Sequence, residues 1–141
     1  MAKIDLTNKT DFEYKVDSLE ILYELVLKEE EADMNSSLSL TYVKSAEIRD
    51  LNKRFRGCDE VTDVLSFDSD IDFIPFLGDI IIDISTANKQ KGPKTLQEEL
   101  EVLSLHGLLH LLGYDHLAGH QKIIMNNKEN IYIEKLRSIP L

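Results

Sequence analysis

TLQEELEVLSLHGLLHLLGYDH, Thr95 to His116, decides how the rest of this chain is read. Thr95 with Glu98 three residues on forms a capping box, in which threonine hydroxyl and glutamate carboxylate each satisfy an orphan backbone N–H. Leu100, Leu103, Leu105, Leu108, Leu109 and Leu112 then follow so densely that the second half is apolar almost all round. That is the pattern of a buried central helix. Three of the four histidines, His106, His110 and His116, sit here at i, i+4 and i+10. Residues four apart differ by about 40° around a helix, so His106 and His110 stack on one face. Gly113 can take the left-handed conformation that ends a helix, and a turn there can return His116 towards the other two. A lone histidine in an apolar helix is more often a core residue satisfied by one or two hydrogen bonds. Three on one face would each carry an uncompensated polar burial, which a single metal ion offsets at once. Three neutral imidazoles with a fourth position open describe a catalytic zinc site holding one Zn2+ ion. His120, further on, reads as a surface residue.

Around this helix, 141 residues predict a single domain spanning residues 1–141, long enough to bury a core without staples. The apolar fraction of 43% and charged fraction of 30% are those of a globular protein in water. The opening MAKIDLTNKTDFEYK has no apolar signal region, and no uncharged run approaches a spanning helix, so no membrane association is expected. The one cysteine, Cys58, cannot form an internal disulfide, which agrees with a reducing cytoplasm and reads as a bystander thiol.

Outward from the helix the periodicities change. Ile4 to Thr7 alternates apolar and polar residues and predicts a short strand. Leu19, Leu22, Tyr23, Val26 and Leu27 recur at helical spacing within Asp17 to Glu31. Leu38, Leu40 and Tyr42 alternate as in a strand with one wet face. Ser45 is expected to cap a helix running to Phe55, with Ile48 and Leu51 inward and Gly57 stopping it. Val61 to Phe67 and Phe76 to Ile84 read as β, joined by the acidic DSDIDFIP loop. Ser85 to Lys91 predicts a short helix broken by Gly92 and Pro93. Gln121 to Leu136 predicts a closing helix, in which Ile123, Ile124, Asn127, Ile131 and Leu136 mark the packed side.

Sixteen basic and twenty-six acidic residues give a net charge of −10, which repels a polyanion at long range. The distribution is uneven. Lys44, Arg49, Lys53, Arg54 and Arg56 crowd one segment, whereas Gly57 to Asn88 has eight acidic residues and no Lys or Arg. Lys89, Lys91 and Lys94 follow. Charge pattern alone leaves open both a phosphate-binding groove, with Lys53 and Arg54 as RNA-binding candidates, and solvated helix ends.

The spacing HxxxHxxGxxH also occurs in metzincin zinc peptidases, whose glutamate after the first histidine is the general base. Here that position is Gly107, so the peptidase reading loses its base. HGLLHLLGYDH, taken whole, resembles the HGxLHLxGYDH signature of the bacterial YbeY family of zinc-dependent endoribonucleases. RGCDEVTDVLSF, Arg56 to Phe67, resembles that family's RGxDxxTDVLSF segment, and LGDIII, Leu77 to Ile82, its LGDI strand. The matching stretches lie between roughly residues 50 and 116.

The resemblance implies an α+β fold: a small mixed sheet packed against helices, with a buried central helix carrying the metal ligands. It implies His106, His110 and His116 as zinc ligands and Arg56 as the essential arginine facing the metal across a cleft. Members of the family cleave single-stranded RNA, mature the 3′ end of small-subunit rRNA and take part in ribosome quality control in the cytoplasm. RNA and the small ribosomal subunit are therefore the expected partners; DNA is not. Two positions depart from the pattern: Cys58 stands where a basic residue is common, removing a phosphate contact, and Asp68 where a proline usually follows SF.

Zinc on three neutral histidines keeps its double charge, can lower the pKa of a bound water towards ~7 and can stabilise charge on a phosphoryl oxygen. Arg56 fits beside it as a planar fork of donors for phosphate. Asp115 can orient a ligand imidazole through its second nitrogen or cap the next helix. Thr62 and Asp63 read as turn or strand-end hydrogen-bonding residues, and Tyr114 as packing. No side chain announces itself as a general base, which leaves activated water and the RNA 2′-hydroxyl both open as nucleophile. Two other classes stand beside the nuclease: a non-catalytic ribosome assembly factor with structural zinc, and a zinc metallopeptidase.

Overall fold

Leu38, Leu40 and Tyr42 alternate with Ser39 and Thr41, and that alternation gives the sheet one buried face. In the computed structural model, which describes residues 3–13, 15–69, 74–114 and 119–140, this segment is strand β2, Ser37–Val43. It lies between β1 (Lys3–Asn8) and β4 (Phe76–Asp83), parallel to both. The edge strand β3 (Val64–Asp68) runs antiparallel to β4, so the sheet is mixed, in the order β1-β2-β4-β3. Five helices complete the described fold: α1 (Asp17–Glu29), α2 (Ser45–Arg56), α3 (Ile84–Gln90), α4 (Leu96–Leu111) and α5 (Gly119–Arg137). The fold is α+β, as expected.

Leu38, Leu40, Tyr42, Ile80 and Ile82 form one face of the sheet and share a core with α1, α4 and α5. Ile81, Leu65 and Val43 point the other way and meet Ile48 and Leu51 of α2. Helix α4 is the buried helix that its leucines announce: Leu100, Leu105 and Leu109 are at most 1% exposed. Both halves of its capping box are made, the Glu98 N–H donating to Thr95 Oγ1 at 3.1 Å and the Thr95 N–H to Glu98 Oε1 at 2.9 Å. Its end is a Schellman turn: Tyr114 N–H donates to Leu109 O and Gly113 N–H to His110 O, both at 3.0 Å. The φ of Gly113, +107°, is one that a side chain would strain.

Two local expectations need correction. Ser45 does not cap α2; Lys44 holds the cap position without a side-chain bond. Ser45 instead donates its hydroxyl to Asp83 Oδ2 at 2.7 Å. The reason lies in Asp83, a fully buried carboxylate at the end of β4 that also accepts from Ser85 N–H and Thr86 Oγ1. A buried charge left without donors is expensive, and Ser45 is one of its three. In α5 the inward residues are Met125, Tyr132 and Leu136, whereas Ile123, Ile124 and Ile131 are exposed. Residues 70–73 of the acidic loop lie outside the described residues.

Gly107 turns out to be a packing residue. It is buried on the sheet-facing side of α4, where a Cβ would come within 2.9 Å of Ile80 Cγ2. A glutamate here would enter the sheet core rather than a cleft, which removes the structural basis for a metzincin-like base.

Candidate functional site

The site is assembled at the β3 edge of the sheet, where two helices from opposite faces reach the same opening. Helix α4 contributes His106 and His110, one turn apart; the end of α2 contributes Asn52 and Arg56. Between them Val64, Leu65 and Ser66 of the edge strand form the floor. The result is a cleft of about 480 Å³. Sequence separation hides this: Arg56 ends a helix on one face of the sheet, and the histidines ride on the other.

The imidazoles of His106 and His110 stand edge to face, ring centroids 4.9 Å apart. Glu129 on α5 lies 2.6 Å from Nδ1 of His106. An ionised carboxylate only accepts, so Nδ1 carries the hydrogen and Nε2 is the nitrogen whose lone pair can serve as a ligand. A carboxylate behind a histidine in this manner orients the ring and raises its basicity towards a metal. This donor set suits zinc. The third expected ligand, His116, and the orienting candidate Asp115 lie outside the described residues. Among the described residues no three His, Cys, Asp or Glu side chains gather to hold a metal.

Arg56 is exposed but held. Its Nη2 donates to Ser66 O at 3.1 Å, and its guanidinium carbon lies 5.8 Å from the Phe67 ring centroid. One donor is thus spent on the β3 edge, while the rest of the fork stays available to a ligand. Lys53 and Arg54, on the same last turn of α2, do not line the cleft; Arg54 pairs with Asp50 at 3.2 Å. Cys58 is exposed at the cleft wall, its thiol 3.7 Å from Arg56 O. His120 is exposed, as expected.

Acidic side chains share the cleft wall with Arg56. Asp63 is committed to the fold: Oδ1 accepts from Val64 N–H at 2.8 Å and Oδ2 from Gln90 at 2.9 Å. This is the strand-end role expected for it. Glu60 and Asp68 are exposed along the same wall. Opposite-sign groups facing one opening favour a ligand that brings both phosphate and a cation.

Behind the histidines, α5 and α1 brace the turn that follows α4. Glu30 accepts from Tyr114 Oη at 2.6 Å, from Lys128 Nζ at 3.0 Å and from the Tyr132 hydroxyl. Burial alone would raise the Glu30 carboxyl, but these three donors outweigh it and hold its pKa below the usual value. Burial, then the Glu30 contact, pushes the Tyr114 and Tyr132 hydroxyls up. The bond to Glu30 raises the Lys128 ammonium. Sequence reading finds neither Glu129 nor Glu30. Glu129 lies 23 residues from His106 on a different helix, and no local spacing pairs them.

Over most of its length the chain is similar to proteins already known. The family model described as Endoribonuclease YbeY matches residues 4–137. A Nautilia profundicola protein named Endoribonuclease YbeY is 40% identical over 137 residues, covering 94% of this chain and 91% of that one. One of the same name from Staphylococcus aureus is 40% identical over 150 residues, covering 89% of this chain and 96% of the relative. The solution structure of a Thermotoga maritima protein matches with a TM-score of 0.66 at 29% identity, covering 94% of this chain and 88% of that one.

Proposed function

Because the chain belongs to the YbeY endoribonuclease family, we propose that it is a zinc-dependent endoribonuclease that cleaves single-stranded RNA in ribosomal RNA maturation. Residues 1–141 act as one domain in this reading. The observation that carries it is the meeting of Arg56, His106 and His110 on the walls of one cleft, from opposite faces of the sheet.

His106, His110 and His116 would hold one zinc ion. Zinc, when bound, supplies Lewis acidity towards a phosphoryl oxygen and acidifies water. The rest falls to the chain. Glu129 fixes the tautomer and orientation of the His106 ring. Ser66 O and the Phe67 ring steady Arg56, whose remaining N–H groups address a phosphate and stabilise charge gathering on it. Asp115 supports a ligand imidazole or caps the next helix.

Glu60, Asp63 and Asp68 on the cleft wall oppose a polyanion, so free RNA binds weakly. Presentation of the strand by the small ribosomal subunit, in the cytoplasm, supplies a high effective concentration in place of charge attraction. Lys53 and Arg54 add backbone contacts outside the cleft.

The test is reversible metal removal. Chelation abolishes cleavage of a single-stranded rRNA fragment, zinc restores it, and His110→Ala neither retains one zinc per chain nor cleaves. Unaltered cleavage by the metal-free chain would refute zinc dependence. Rescue of rRNA processing by a folded His110→Ala protein would favour the assembly-factor reading.

A further inference from the structure

Phe55 is 61% exposed, although it sits on a helix whose other large apolar residues, Ile48 and Leu51, pack inward. It is not isolated. Its ring stands edge-on against Phe67, centroids 5.5 Å apart at 62°, and the Arg54 guanidinium carbon lies 5.4 Å from its centroid. Phe67 in turn carries the Arg56 guanidinium. Arg54, Phe55, Phe67 and Arg56 therefore form a continuous row, two aromatic rings in edge contact with a guanidinium at each end, and the row finishes at the residue that lines the cleft.

We propose that Phe55, with Arg54, is a stacking platform for one unpaired nucleobase of the strand whose phosphate Arg56 holds. The proposal rests on the RNA reading above and gives it a residue that selects single strands. An exposed aromatic ring flanked by guanidinium groups offers a base a π-face and its adjoining phosphates positive charge. In a chain of net charge −10, this basic turn of α2 is complementary to a polyanion where most of the surface is not. A base stacked inside a duplex has no open face to give, so the platform engages only unstacked strands.

The test uses the zinc-loaded full chain and a short single-stranded RNA. Phe55→Ala is expected to raise KM about tenfold, the order that loss of one stacked base brings. Phe55→Trp is expected to keep KM near the wild-type value. An abasic site walked along the strand should, at one position, erase the difference between wild type and Phe55→Ala. The side chain is exposed, so its removal leaves the fold intact, and a thermal melt checks it. Equal KM for wild type and Phe55→Ala overturns the platform while leaving the nuclease standing. So does weaker binding of Phe55→Ala to the small subunit with unchanged KM for RNA, which assigns Phe55 to a protein contact. A wild-type chain that cleaves no single-stranded RNA overturns both readings.

Discussion

The carboxylate of Glu129, 2.6 Å from His106 Nδ1, decides which imidazole nitrogen faces outward. Glu129→Ala should weaken zinc binding about ten- to hundredfold, measured by competition with a chromophoric chelator. Glu129→Gln keeps an acceptor and should lose less; equal affinity in all three proteins removes the role. The histidine spacing was legible because helical geometry alone puts His106 and His110 on one face, where their rings lie 4.9 Å apart. Glu129 was not, since its pairing depends on how α5 crosses α4. Arg56 came through family resemblance only. Charge pattern could not separate it from Arg49, which forms an ion pair with Asp59 at 2.9 Å.

At the level of elements, α4 was readable almost whole: capping box, leucine-rich face and glycine stop all behave as local chemistry dictates. What sequence could not show is how closely the helix lies on β4. Gly107 allows that approach, a Cβ there meeting Ile80 at 2.9 Å. Gly107→Glu, which would recreate the peptidase-like HExxH pattern, is expected to lose about 3 kcal/mol or more of stability through overpacking and a buried charge. Urea unfolding measures it, and a stable variant with peptidase turnover would contradict this packing. The α5 error has a similar origin. Spacing favoured the isoleucines, but Tyr132 goes inward because its hydroxyl finds Glu30 at the C-cap of α1, a partner that no local pattern reveals.

Over the whole molecule, Glu30 joins α1, α5 and the turn after α4, and its depressed pKa makes that junction sensitive to acid. A carboxyl lowered in the folded state stabilises above its unfolded pKa and loses that contribution as pH falls through the folded one. The loss therefore falls below about pH 4.5, the ordinary value of this carboxyl. Glu30→Gln should lower the melting temperature at pH 7 and flatten its fall below about pH 4.5; an unchanged acid limb would show that the junction adds no stability. The α+β class followed from the family resemblance, but the meeting of α2 and α4 at the β3 edge was not legible, because it depends on strand order β1-β2-β4-β3. Arg56 reports on that meeting, because it reaches the histidines' cleft from α2. With wild type and Arg56→Ala at equal zinc content, the cleavage rate on a single-stranded rRNA fragment should be about 10²-fold lower in the variant, the scale of losing one preorganised donor. Equal rates would mean that Arg56 takes no part in cleavage and that the cleft is not the site.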